Sequence, residues 1–533
     1  MRHFFRIGKM GVVAMLLLSL SACRKDFDSI KDYFKDKNQD DTPAITFYAL
    51  GGGTMLDKFS TTSPEKVLNS ATITGLQNGE KILAIDFRPA TGQLYGVGST
   101  SRIYVIDPKT GTERAVSGQS PNPTPAVPAS FTPALSGNIV GFDFNPTVDR
   151  IRIVTSTGQN LRLNPETGTV VPMGVDGSIN GKAGAMISAV AYDNNVAGAV
   201  ETELYAIDFV GDKLFEIDPP NNGTLVEVGP LKLDVTGEGG FDIDYQSKVG
   251  LGLFEINKKS TLFTIDVETG KTKILAKYNK SYMYTGIAIP TRAVAYAVST
   301  SNDLLIFNPH SPSSVVSKPI TGIQMGETIL GIDFRPVNGQ LYAIGSTSSI
   351  YTINASSGVA AVIGALSTLP AGSTTAVPLS LSGTSFGFDF NPLVDRIRIV
   401  SNTGQNLRVN PNTAVALVDS MLNPGKPVVT AAAYENNFAG TTNTKLYVID
   451  VDTDKLYEQN PPNAGTLVDV GSLGVNVEAA NGYDIGGASN TGYALLTASS
   501  RIRLYTINPA TGAATAKGAF AYSVNGFTVG LGF

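Results

Sequence analysis

Short apolar stretches bounded by turn residues fill almost the whole chain. Gln93-Leu94-Tyr95-Gly96-Val97-Gly98 and Arg102-Ile103-Tyr104-Val105-Ile106-Asp107 are representative. Their length and alternation predict strands rather than helices. Turns such as Asp107-Pro108-Lys109-Thr110-Gly111 separate them, Pro presetting one backbone angle and Gly permitting a positive one.

The stretches repeat on two scales. Gly141-Phe142-Asp143-Phe144-Asn145-Pro146, followed by Asp149-Arg150-Ile151-Arg152, returns as Gly387-Phe388-Asp389-Phe390-Asn391-Pro392 and Asp395-Arg396-Ile397-Arg398. Both continue into Thr-Gly-Gln-Asn-Leu-Arg, at Thr157 to Arg162 and at Thr403 to Arg408. Ile85-Asp86-Phe87-Arg88-Pro89 likewise returns as Ile332-Asp333-Phe334-Arg335-Pro336, so the body of the chain is a duplication.

Inside each copy a small residue, an apolar one, a variable one and an apolar one recur. The variable position is Asp86, Asp143, Ala191, Asp242 and Ala288 in the first copy, and Asp333, Asp389, Ala433, Asp484 and Thr528 in the second. Neighbouring positions lie between 44 (389 to 433) and 57 (86 to 143) residues apart. Four-stranded units of about 40–50 residues are the mark of propeller blades. The expected fold is therefore all-β, with two tandem β-propeller-like domains of about five blades each, over 45–290 and 291–533. One ten-bladed ring is the alternative, and stacked β-solenoid turns a more distant one. In each copy the last strand, at Tyr284 to Ile289 and at Val524 to Phe533, is expected to pair with the first and remove an exposed edge.

The first residues depart from this pattern. Arg2, Arg6 and Lys9 precede an apolar run from Met10 to Leu20, too short to span a bilayer, which ends in Leu20-Ser21-Ala22-Cys23. This resembles the lipobox of bacterial lipoproteins. Residues 1–22 are expected to be a signal peptide and Cys23, the sole cysteine, the lipidated first residue. Several acyl chains there would tether the protein to the membrane. The charged segment 23–44 reads as a tether, and the expected location is the cell envelope, as an outer-membrane lipoprotein facing the periplasm or the surface.

Composition narrows the chemistry. A net charge of −5 gives no electrostatic footprint for nucleic acid. The two histidines, His3 and His310, and one cysteine leave too few ligands for a Cys/His zinc site. His310 lies in Asn-Pro-His-Ser-Pro and reads as a turn residue. Oxygen-ligand metals and carboxylate, Lys, Tyr or Ser chemistry remain.

Two sets of side chains are candidates. If the variable position faces each ring's axis, Asp86, Asp143 and Asp242 converge, as do Asp333, Asp389 and Asp484. Such carboxylates suit Ca2+, or acid–base hydrolysis of glycans, or accept backbone N–H groups and staple blades together. The second set is Arg150, Arg152 and Arg162, matched by Arg396, Arg398 and Arg408, which strand alternation gathers on one face. They form an anion-binding cluster or, alternatively, salt bridges with Asp143, Asp149 or their neighbours. A Pro/Ser/Thr-rich loop, about Ser117 to Asn138 and about Ser367 to Ser385, is a further candidate without chemistry of its own.

The Gly-Phe-Asp-Phe-Asn-Pro, Asp-Arg-Ile-Arg and Thr-Gly-Gln-Asn-Leu-Arg motifs together resemble a bacterial domain-of-unknown-function family found in secreted proteins. The resemblance covers both copies and implies an exported propeller-like module without an assigned activity. The expected function is a cell-envelope lipoprotein presenting two modules as a platform for a protein or glycan ligand; a carbohydrate-active hydrolase or lyase is the alternative. The sequence shows no recognisable catalytic constellation and identifies no cofactor beyond a possible Ca2+.

Overall fold

The computed structural model describes residues 42–116 and 130–533. Among them the chain forms ten sheets, nine of four strands and one of six. Five sheets belong to the first copy. Their innermost strands are Ile82–Phe87, Val140–Asn145, Ile187–Tyr192, Gly239–Ile243 and Tyr284–Ala288. Each packs on the next, and Tyr284–Ala288 packs back on Ile82–Phe87, closing ring 1. Tyr284–Ala288 also pairs with Thr46–Gly51, Tyr48 opposite Ala288, so the last strand completes the first sheet.

Ring 2 repeats the arrangement with Ile329–Arg335, Phe386–Asn391, Val429–Tyr434, Ala479–Ile485 and Val524–Val529 innermost. Val524–Val529 pairs with Ala295–Ser299 and packs against Ile329–Arg335. The circles therefore close at five, which excludes both the ten-bladed ring and a solenoid. The six-stranded sheet arises where Ser367–Thr368 runs parallel to the outermost strand Val415–Val418 and Val377–Pro378 adds beyond it. Part of the segment Ser367 to Ser385 is thus an extension of a blade.

The apolar core is divided in the same way, into ten clusters, one at each boundary between blades. Tyr48, Leu50 and Leu56 of one blade, for example, interlock with Ile82, Ile85, Phe87 and Leu94 of the next. Both faces of every innermost strand are buried, which explains why their apolar residues run almost without interruption. The small residue two before the variable position marks where neighbouring innermost strands touch. A Cβ at Gly141 would lie 2.7 Å from the Val190 nitrogen, and one at Gly240 2.4 Å from the Ile287 nitrogen.

The rings pack on each other. Arg88 Nη1 donates to the Gly339 carbonyl at 3.0 Å, the Tyr296 hydroxyl to the Ala90 carbonyl at 2.9 Å, and the Gly532 N–H to the Thr91 carbonyl at 2.8 Å. Ala90 joins Val294, Tyr296 and Leu531 in one shared cluster.

Candidate functional site

The variable position does face the axis, and in each ring its three aspartates meet: one carboxylate oxygen from each lies within 4.8 Å of those of the other two. All six residues are about 1% exposed. Asp86 accepts the N–H of Phe87 at 2.7 Å and, from the next blade, that of Phe144 at 2.9 Å. Asp143 accepts from Tyr192 of its next blade at 3.2 Å. Asp242 accepts from Ile243 and from Ile289, both at 2.6 Å. Ring 2 is the same: Asp333 takes Phe334 and Phe390, Asp389 takes Tyr434, and Asp484 takes Ile485 and Val529.

One N–H from each blade, directly after the variable position, thus points inward and finds a carboxylate. Ala191, Ala288, Ala433 and Thr528 supply no such acceptor, and each follows a blade that has an Asp, whose carboxylate accepts the N–H in its place. Three aspartates offer six oxygens to five N–H groups. The sixth, Asp389 Oδ2 in ring 2, has no hydrogen-bond partner although it is buried.

Burial, and then the charge of Asp242, raises the pKa of Asp86 well above the carboxylate range. Asp143 is raised by burial, Asp86 and Asp242 together, and Asp242 itself is pushed up to about 7 by burial. In ring 2 burial and neighbouring aspartates raise Asp333 and Asp389, and burial brings Asp484 to about 6. The Thr528 hydroxyl lies 2.9 Å from Asp333 Oδ1 and 2.7 Å from Asp484 Oδ2. It carries one hydrogen for two acceptors. A glycosidic substrate cannot meet carboxylates so enclosed, so the geometry opposes their use as a hydrolytic pair.

The arginines come together as alternation predicts, but around a carboxylate the sequence did not single out. Arg152 Nη1 meets Asp176 Oδ2 at 2.6 Å, and Arg162 forks onto both oxygens of the same residue at 2.8 and 2.9 Å. Arg152 also donates to Asn160 and to Asn221 of the next blade. Asp419 plays the same part for Arg398 and Arg408. Arg150 and Arg396 turn aside and donate to the carbonyls of Asp149 and Asp395. An anion-binding cluster is therefore corrected to a structural one, because Asp176 and Asp419 already fill the forks. Asp149 does pair with an arginine, but it is the buried Arg88, which also holds Glu166 at 2.7 Å. His310 is an exposed turn residue whose N–H and ring lie on the Asn308 side chain. Cys23 and residues 117–129 of the first long loop lie outside the described residues.

The feature that the sequence concealed is a cavity of about 430 Å3 at one mouth of ring 1. It is lined where the innermost strands begin, by Lys81, Leu83, Ile139, Ser188, Glu238 and Tyr282 among others. Five separate blades contribute to it, so no local motif announces it. Tyr282 is fixed in place: its hydroxyl donates to Asp57 at 2.8 Å, and its ring lies so close to Gly51 that a Cβ there would be 2.3 Å away. Burial alone would raise the Asp57 carboxyl, but hydrogen bonds from Ser70, Tyr284 and Tyr282 and the charge of Lys280 outweigh it and hold it below its usual value. In ring 2 a hole of about 10 Å3 lies between the innermost strands, and the Asn525 amide reaches across to the Ile329 carbonyl at 3.1 Å.

A family profile described as "Domain of unknown function (DUF4394)" matches residues 55–288 and again 303–528. No curated protein matches the sequence. Among solved structures there is similarity to PorZ, described as an essential bacterial surface component of the type-IX secretion system of Porphyromonas gingivalis. It runs over 90% of this chain and 58% of that one, at 11% identity and a TM-score of 0.24. The chain thus spans little more than half of PorZ, and likeness at that level carries no argument.

Proposed function

We propose, from the premise that the chain belongs to the DUF4394 family and carries its domain twice, that it is a binding protein whose ligand site is the ring 1 cavity. The observation that supports this is the cavity itself, about 430 Å3 and lined by all five blades of ring 1. Ligand pockets are commonly about 300–1,000 Å3, with apolar walls and few polar groups. Leu83, Ile139 and Met283 supply walls, Tyr282 a fixed aromatic, and Lys81 and Glu238 opposite charges. That set suits the end of a glycan or peptide chain carrying both donors and acceptors. Ring 2, packed on ring 1, serves as support. Lipidation at Cys23 would place this site on a cell-envelope membrane. The absence of any reachable carboxylate pair on the axes favours binding over hydrolysis.

The test is an array of envelope polysaccharides and peptides probed with the full mature chain and with Leu83→Trp, which puts an indole into the cavity. Retained ligands that are lost in Leu83→Trp support the reading. An array without retained ligands, or retention that Leu83→Trp leaves unchanged, overturns it. Mass spectrometry of the protein from a bacterial host gives the Cys23 answer separately: a diacylglyceryl adduct supports the anchor, and an unmodified or uncleaved N-terminus removes it.

A further inference from the structure

We propose that ring 2 holds one oxygen-preferring divalent cation, of the Ca2+ kind, at its axis, bound by Asp333, Asp389 and Asp484. This does not depend on the ring 1 cavity. The clustering is one observation: three oxygens within 4.8 Å of one another can surround a single ion at Ca2+–oxygen distances of about 2.3–2.6 Å. The accounting of donors is another. Five inward N–H groups engage five carboxylate oxygens, and the sixth, Asp389 Oδ2, is buried and faces no donor. A buried carboxylate oxygen without a partner is costly, and an ion is what would complete it.

Charge points the same way. Three carboxylates share each axis, yet none of the ion pairs among the described residues includes any of the six. Uncompensated carboxylates at this depth need a counter-charge. Oxygen-only donors select a hard cation rather than zinc or copper. In ring 2 the Thr528 oxygen, between Asp333 and Asp484, is placed as a fourth ligand. A hole of about 10 Å3, lined by Ile332, Phe388 and Tyr483, the residues just before the three aspartates, has no room for an organic ligand.

The experiment uses the whole mature chain, dialysed against EDTA and then against Ca2+, with bound metal counted by elemental analysis and unfolding followed by heat. The wild type is expected to bind one Ca2+ per chain and to unfold at higher temperature in millimolar Ca2+ than in EDTA. Asp389→Asn is expected to bind none, and Asp143→Asn, in ring 1, still one. Folded wild-type protein without bound Ca2+, whose unfolding ignores Ca2+ and EDTA alike, overturns the proposal and leaves protons as the counter-charge. An ion retained by folded Asp389→Asn lies elsewhere and overturns it equally. Should Asp389→Asn not fold, Thr528→Ala keeps all five N–H acceptors, and its expected result is weaker binding of the ion. An unchanged affinity in Thr528→Ala would overturn the Thr528 ligand assignment and, with it, the site.

Discussion

Asp86 accepts the backbone N–H of Phe144 at 2.9 Å across the boundary between two blades, while its other oxygen holds the N–H of its own neighbour Phe87. Asp143 serves only one N–H, that of Tyr192. Each buried N–H left without an acceptor costs about 1–3 kcal/mol. Asp86→Ala strands two and Asp143→Ala one, so the first is expected to lose the more stability in urea unfolding. Asp333→Ala and Asp389→Ala should repeat that order in ring 2. Equal losses within either pair would mean that the inward N–H groups are not what the aspartates serve.

Arg88 extends the argument from hydrogen bonds to charge. It is buried between Asp149 and Glu166 and donates to the Gly339 carbonyl of the other ring. Its counterpart Arg335 holds Asp395, and Asn412 stands where an acid would be. Breaking a buried pair by removing one partner costs about 3–5 kcal/mol, because a charge remains uncompensated. Arg88→Met strands two carboxylates and Arg335→Met one. Calorimetry is expected to show the larger loss for Arg88→Met, and a larger loss for Arg335→Met would contradict the assigned network.

The difference between what the sequence disclosed and what it hid follows from range. Gly141 to Asn145 and its copy at 387–391 announce the innermost strands because alternation and repetition are local, and the five-unit count follows from them. That the aspartates converge could be deduced, since one register position recurs in every blade. Their N–H partners could not be, because Phe144 and Tyr192 are supplied by the next blade. Asp176 escaped notice for a related reason: it lies just past the strand Thr169–Val175, outside the repeated motif, and only folding shows that Arg152 and Arg162 both reach it. The ring 1 cavity was least legible, since Lys81, Ile139, Ser188, Glu238 and Tyr282 come from five blades and share no motif.

Asp57 ties the cavity wall to the pH response. Its folded pKa is lowered, so its contribution to stability is present above its unfolded value near 3.8 and is lost as pH falls through the lower folded value. Asp57→Asn is expected to flatten the acid limb of the stability curve. It should also loosen Tyr282, read as weaker binding of any ligand that Leu83→Trp abolishes. An unchanged acid limb would show that Asp57 is not held low.

Glu113 gives the opposite sign and carries its own control. Burial, and then the charge of Glu80, raises its pKa to about 7 from an ordinary 4.5, with Arg114 opposing. Its Oε2 is buried without a partner, and its Oε1 lies against Gly75. Glu80 meanwhile accepts the hydroxyls of Tyr104 and Thr100. Ring 2 keeps the same frame, with Glu327 accepting from Tyr351 and Thr347, but has Ala360 in place of the second acid. The folded chain therefore favours the protonated form of Glu113. Its contribution is fully present below the unfolded value of 4.5 and is lost as pH rises through about 7. Glu113→Gln, which keeps the shape without the charge, is expected to unfold at the same temperature as wild type near pH 4 and at a higher one near pH 8. Glu113→Ala, the ring 2 solution, should share the gain at high pH. Thermal unfolding across that range decides it: a Glu113→Gln variant that gains nothing at pH 8 would show that the carboxylate there finds water or a cation whenever it ionises.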